Sequence, residues 1–397
     1  MMTLLCLLML TAITMLQYQG IKIRSYSKIR NPQEKGLRQR SPFFFNPHTG
    51  TMKHLTILLA TLSSAYILGC VPDQNDSLPE PTPTVAPDTA NTTTDTLESS
   101  REAAAREFKF TYAGAITELE AGDEVSIWLP VAGDTHEQQI LDREIDVPGE
   151  YTIGEEKAYG NQILHFTAKA NEQGEVPFQV IYHLTRSEAL QADREKITEA
   201  QAAAFTLPSK LVPVDQNLSG QILGDTTLAN NSLTAGRQIY DAVNNRMKYD
   251  KPEGGDWGRG DSVWACGNGF GNCTDFHSLF ISICREQKIP ARFEIGFPIA
   301  SERGEGEVRG YHCWAKFAAN ETWVPVDISE ADKDPSLNDY YYGNLTENRI
   351  TFSVGRDLTL TPEQQGGPVN FLVYPYAEVA GTPHTTFRKG FRYEDIQ

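Results

Sequence analysis

The sequence predicts an α+β protein, with an antiparallel β-sandwich followed by a segment in which a cysteine-bearing helix packs on an antiparallel sheet. Three observations predict it. Short runs of alternating apolar and polar residues fill positions 106–187. From Cys273 onward the apolar residues Phe276, Leu279, Phe280 and Ile283 recur at helical spacing. Strand patterns then follow at Ala291–Phe297, Tyr311–Phe317 and Trp323–Ile328. The 397 residues, 40% apolar and 22% charged, suit two globular domains.

Residues 1–51 read as an upstream extension, with an apolar stretch, Met1–Leu16, running into the basic segment Ile21–Arg40. Residues 52–69 have the parts of a secretion signal: the start Met52-Lys53-His54, the apolar run Leu55–Leu68, and Gly69 before a cut site. Translation is therefore expected to begin at Met52. Ending in Leu-Gly-Cys, the segment resembles a lipoprotein signal in which Cys70 is cut free and lipidated. The run is shorter than the ~20 residues a spanning helix needs. The alternative is a membrane anchor at Met1–Leu16. Residues 70–105 form a tether: the thirty positions after Cys70 hold five Pro and seven Thr, too little apolar surface to offset chain entropy. A short helical lead-in is expected at Glu102–Arg106. The expected location is the bacterial envelope, on an extracytoplasmic face, with the membrane met through the lipid.

Eight of the 35 basic and one of the 52 acidic residues precede Cys70, so the remainder carries 27 against 51, a charge of −24. A body so acidic repels phosphate backbones, which excludes nucleic acid as a partner. In the sandwich the alternating runs are Phe108–Tyr112, Val125–Leu129, Ile163–Phe166 and Phe178–Leu184, separated by turns such as Ala121-Gly122-Asp123. His165 and His183 fall within these runs and read as packing or surface residues, so the sandwich reads as a spacer or recognition module. Residues 188–231 read as a helical linker, with a helix at Glu188–Ala204 and a Pro- and Gly-marked stretch at Leu207–Leu223. The catalytic segment, 232–397, opens with helical spacing at Ala235–Met247. A Gly-rich loop follows at Pro252–Gly271, and the segment closes with strands near Ile350–Val354 and Phe371–Tyr376.

The chemistry is carried by Cys273, His312 and Asp327. Cys273 opens a helix straight after the Gly-rich loop, with Asn272 at the cap and Asp275 in the first turn. Unpaired N–H groups there stabilise a thiolate. On the two following strands His312 and Asp327 share a face. A turn centred between Ala319 and Asn320 sets them directly opposite, about 4.5–5.5 Å apart at Cβ. A thiol at a helix start with a His held by an Asp is the arrangement for covalent acyl transfer on amide or peptide carbonyls. The Cys273 N–H supplies one oxyanion donor, and the loop Trp264–Asn272 is the expected source of the second. Trp264, Asn272 and Trp314 are the candidate walls of the substrate cleft.

Three blocks, Gly-Asn-Cys-Thr-Asp-Phe-His at 271–277, His-Cys-Trp at 312–314 and Trp-Val-Pro-Val-Asp at 323–327, resemble the signature blocks of the transglutaminase-like superfamily. The resemblance covers about residues 232–360. It implies a papain-like α+β core with Cys273 as nucleophile, His312 as base and Asp327 as orienter. The family includes transamidases, peptidases, deglycosylating amidases and inactive members, so it leaves the reaction open. Hydrolysis is preferred over transamidation because an envelope enzyme facing water needs no special acceptor. The expected partner is a protein or peptide substrate, with no cofactor and no metal.

Blander readings stand beside this one. Cys273 alone suits a buried helix thiol. Cys266 and Cys313 are open to pairing as a disulfide. Cys273 and Cys284 are not, since eleven positions of helical rise separate them by about 16 Å. Cys266, Cys273, His277 and His312 form a zinc alternative without a supporting CxxC pair. In function the alternatives are a silent binding module for peptide or glycan and a structural envelope protein.

Overall fold

The structure, a computed structural model, describes residues 101–396 apart from Gly254. The expected extension, signal, lipidated Cys70 and most of the tether lie outside the described residues. No helix among the described residues is long and apolar enough to cross a membrane.

The chain begins with β1 (Ala105–Ile116), β2 (Glu124–Val131), β3 (Gln138–Asp146), β4 (Tyr151–Glu155), β5 (Gln162–Lys169) and β6 (Val176–Ser187). Period-2 patterning explains the long strands: Phe108, Phe110 and Tyr112 of β1 are buried while Glu107 and Lys109 face solvent. Each such ring removed from water contributes about 1.5–3 kcal/mol. Strands β3 and β4 were not expected. Both sit at sheet edges, largely exposed, and so carry no apolar alternation to read.

Next come α1 (Glu199–Ala204), α2 (Leu218–Leu223), α3 (Ser232–Arg246), α4 (Ser262–Asn268) and α5 (Cys273–Glu286). They are followed by β7 (Ala291–Pro298), β8 (Glu305–Glu307), β9 (His312–Ala319), β10 (Thr322–Val326), α6 (Ile328–Lys333) and β11 (Arg349–Val354). The described chain closes with β12 (Tyr376–Val379), β13 (Thr382–His384) and β14 (Phe387–Asp395). The central sheet runs β10-β9-β7-β11, and α5 packs on β9 and β7. Helix α5 is buried all round. Its polar side chains are held by name: Ser278 accepts from Arg356, Ser282 donates to the Pro213 carbonyl, and Arg285 donates to Ala291 and Leu207 carbonyls.

The observed partition differs from the expected one at the C-terminus. The strand expected at Ile350–Val354 forms as β11 at the edge of the central sheet, but the one expected at Phe371–Tyr376 begins only at Tyr376, as β12, and β12, β13 and β14 complete the outer sheets, in the orders β3-β6-β1-β14-β8 and β13-β12-β2-β5-β4. Backbone pairing decides strand partners, and sequence position does not reveal it. The described residues fall in one unit, and one hydrophobic cluster joins both outer sheets, the central sheet and α5. Phe110 of β1 lies 5.2 Å from Phe297 of β7, ring centre to ring centre, so the sandwich is packed on the core and is not a detached spacer.

Smaller corrections follow the same logic. Residues 102–104 are irregular, and β1 begins at Ala105 where a helical lead-in was expected. Of the helix expected at Glu188–Ala204 only Glu199–Ala204 forms, opened by a Thr198–Gln201 capping box. The linker and the Gly-rich loop contain the helices α2 and α4. The strand expected through Ile328 stops at Val326, where Asp327 caps α6.

Candidate active site

The start of α5 is built by its own first turn. Asn272 caps the helix, its side chain accepting from Thr274 N–H at 2.9 Å, while Asp275 Oδ2 accepts from Asn272 N–H at 2.9 Å. Asp275 Oδ1 also accepts from Gly260 N–H at 2.9 Å, pinning the preceding loop to the helix start. The loop comes so close that a Cβ at Gly258 would stand 2.1 Å from Asp275 Oδ1, so glycine is required there. Burial raises the Asp275 carboxyl to about 6 despite these two donors.

The Cys273 side chain sits at this end, 3% exposed. A hydrogen bond from the Cys313 thiol, with the hydrogen bond and charge of His312, outweighs burial and holds Cys273 well below the ordinary thiol range. His312 Nε2 lies 2.7 Å from Asp327 Oδ2, which leaves Nδ1 for the thiol. Burial would lower the imidazole, but the charges of Asp327 and Cys273 hold it at about 10. For Asp327, His312 and Arg349 outweigh burial, so its carboxyl stays well below the usual range. These shifts favour a thiolate beside an imidazolium, backed by a carboxylate.

Asp327 is fixed on every side. Arg349 Nη1 donates to Oδ2 at 3.2 Å, Ser329 Oγ donates to Oδ1 at 3.1 Å, and Glu330 N–H caps Oδ1 at 3.3 Å. His277, one turn along α5, joins the two halves of the site. Its Nε2 accepts from Ile328 N–H at 3.1 Å, which puts the ring proton on Nδ1, donating to the Cys273 carbonyl at 2.8 Å. Burial lowers the His277 pKa and keeps the ring neutral.

The structure thus brings Cys273, His312 and Asp327 together, in a register shifted from the expected one. The β9–β10 turn is centred between Asn320 and Glu321, pairing Thr322 with Ala319 and Val326 with Ala315. A shift of the centre by one residue keeps both side chains on one face, and Asp327 reaches His312 diagonally.

Of the expected cleft walls, Trp314 does not serve as one. Trp314 is fully buried, its Nε1 donating to Glu294 Oε2 at 2.6 Å and the Arg349 guanidinium 4.7 Å over its ring. The outward face of β9 is covered in this fold, so facing the His312 side does not mean facing solvent. Asn272 is committed to its cap, and Trp264 packs edge-on against Phe270. Around the thiol are residues that sequence reasoning did not assign to the site. Tyr249 and Tyr311 both feel the Cys273 charge, added to burial, in their raised pKa values. Lys333 Nζ lies 3.9 Å over the Tyr249 ring, and Trp257, 40% exposed, stands 5.6 Å from it. Tyr249 follows the end of α3 by three residues, a position without a pattern to flag it.

All four described cysteines are free. Cys266 Sγ lies 3.7 Å from Gln221 Oε1 and Cys313 Sγ 3.6 Å from His277 Nδ1, so the two are not bridged. The four residues of the zinc alternative do not converge. The group whose donor atoms do lie within 4.8 Å of one another is His312, Asp327 and Glu330. There the two buried members already bond to each other.

The family model of the transglutaminase-like superfamily matches residues 218–328. An uncharacterized protein of Haemophilus influenzae is 27% identical over 354 residues, which covers 73% of this chain and 90% of that protein. Among solved structures, a "Putative Cysteine Protease" from Cytophaga hutchinsonii is similar at 15% identity and a TM-score of 0.49, over 75% of this chain and 93% of that one. The periplasmic domain of TgpA from Pseudomonas aeruginosa, bound to ethylmercury, is similar at 13% identity and a TM-score of 0.30, over 60% and 94%.

Proposed function

We propose, from the match of residues 218–328 to the transglutaminase-like superfamily model, that the protein is a thiol-dependent enzyme acting on amide or peptide carbonyls. The observation that carries this reading is the His312–Asp327 contact of 2.7 Å beside a low-pKa thiol at a helix start. The Cys273 thiolate attacks the carbonyl carbon, and the oxyanion meets the Cys273 N–H at the end of α5. His312 gives its proton to the leaving amine, while Asp327 fixes the imidazole. Water, deprotonated by His312, then releases the acyl group. Hydrolysis is favoured over transamidation because a protein held outside the cytoplasm by lipid on Cys70 faces water as its acceptor.

One observation favours a second reading, a silent binding module. Cys273 is only 3% and His312 6% exposed, so the site is nearly covered. Iodoacetamide labelling of residues 71–397 across pH 4–9, followed by peptide turnover, separates the two. The proposal expects labelling confined to Cys273 at pH values well below the ordinary ~8.5. It also expects Cys273→Ala to lower turnover by on the order of 10³-fold or more. Slow labelling spread over several cysteines, or turnover retained in the variant, would sink it.

A further inference from the structure

Beside the Cys273 thiol stands a second thiol, Cys313, with no role in acyl transfer. Cys313 follows His312 on β9 and faces α5, fully buried. Its Sγ lies 3.6 Å from His277 Nδ1, and that same nitrogen donates to the Cys273 carbonyl at 2.8 Å. One imidazole therefore bridges the Cys313 thiol on β9 and the Cys273 backbone at the start of α5. Burial and the Cys273 charge keep Cys313 a neutral thiol, so the two sulfurs are chemically unlike. Neither other described cysteine competes. Cys284 lies about 16 Å along the helix from Cys273, and Cys266 Sγ sits against Gln221.

We propose that Cys273 and Cys313 form a reversible oxidation site, in which a peroxide oxidises Cys273 and Cys313 resolves the product as an intramolecular disulfide. The inference rests on Cys273 being a nucleophilic thiolate, and not on its substrate. In the first step the thiolate attacks one oxygen of hydrogen peroxide. An S–O bond forms, the O–O bond breaks, and the departing hydroxide takes the His312 proton to leave as water. Cys273 is now a sulfenic acid, oxidised by two electrons, and the peroxide has been reduced. In the second step the Cys313 sulfur attacks the Cys273 sulfur. The S–S bond forms, the S–O bond breaks, and the hydroxyl leaves with the Cys313 proton as water. A dithiol reductant reverses the result by thiol–disulfide exchange.

The test is to treat the protein with hydrogen peroxide, digest it without reduction and read the peptides by mass spectrometry. Wild type is expected to lose two hydrogens, to yield a cross-linked peptide joining Cys273 and Cys313, and to regain alkylation of Cys273 with dithiothreitol. Cys313→Ser is expected to stop at sulfinic or sulfonic acid on Cys273, with recovery by dithiothreitol lowered roughly tenfold or more. Thermal unfolding checks that the variant folds, and Cys313→Ala replaces it if it does not. Sulfinic acid in wild type with no cross-linked peptide, or equal recovery in wild type and variant, would overturn the proposal. Cross-linking in a protein without peptide turnover would leave this inference standing and remove the peptidase reading. Turnover without cross-linking would do the reverse.

Discussion

At the scale of single residues, the pair at the start of α5 sets the pH window of the chemistry. His312 stands at about 10, above its unfolded value of ~6.5. Its contribution to stability is therefore complete below the unfolded value and is lost as pH rises through about 10. Asp327 is depressed, so its contribution is present above ~4 and lost as pH falls. The kcat/KM profile for peptide hydrolysis is accordingly expected to keep its alkaline limb near 10. In Asp327→Asn that limb is expected to fall toward ~6.5, with a rate loss of about 10³–10⁴-fold; an unmoved limb would remove Asp327 from the pair. These three residues were legible because each reactive residue type sat in a local pattern: a helix start and two strand faces. Arg349, which holds both Asp327 and Trp314, was not legible, since it reaches them from a strand 22 residues past Asp327. Trp314 was misread for a related reason, because alternation tells which face a side chain takes and not what covers it.

At the scale of elements, the β9–β10 hairpin shows how a small turn positions the site. Its two turn residues, Asn320 and Glu321, both have positive φ, at 51° and 61°. That geometry matches the twist of the strands but costs a non-glycine residue about 1–2 kcal/mol. Glu321 is exposed and its hydrogen bond to Ile197 N–H uses only the backbone carbonyl. Glu321→Gly is therefore expected to stabilise the protein by about 0.5–1 kcal/mol, after the entropy glycine gives up, without moving His312 or Asp327. Chemical denaturation measures this, and a destabilised variant would contradict the turn assignment. Parity was legible here, since an even turn puts both residues on one face. Register was not, because Asn-Glu lacks the glycine that marks such a turn.

At the scale of the whole molecule, the sandwich is made from both sides of the catalytic segment. Strand β14 lies between β1 and β8, pairs with β1 from Phe108 to Ile116, and buries Phe391 and Tyr393 in the shared core. A chain stopped before Phe387 is expected to lose its cooperative transition in scanning calorimetry, whereas the intact protein unfolds in one step. Cooperative unfolding of the shortened chain would show that the sandwich does not need β14. The strands were legible as alternating runs, but their partners were not. Pairing across 271 to 287 residues of chain, from Ile116–Phe387 to Phe108–Asp395, is a long-range contact that local periodicity does not encode.

Strand β1 runs antiparallel between β6 and β14, laddered to β6 from Ala105 to Ile116 and to β14 from Phe108 to Ile116. Arg106 additionally grips Asp395, with a bond of 2.6 Å. Tension from the upstream chain therefore acts along the length of β1. It loads two hydrogen-bond ladders in shear, where many bonds must fail together, instead of peeling an edge strand away one bond at a time. A molecule held by its upstream end would thus be anchored through a strand loaded in shear on both sides.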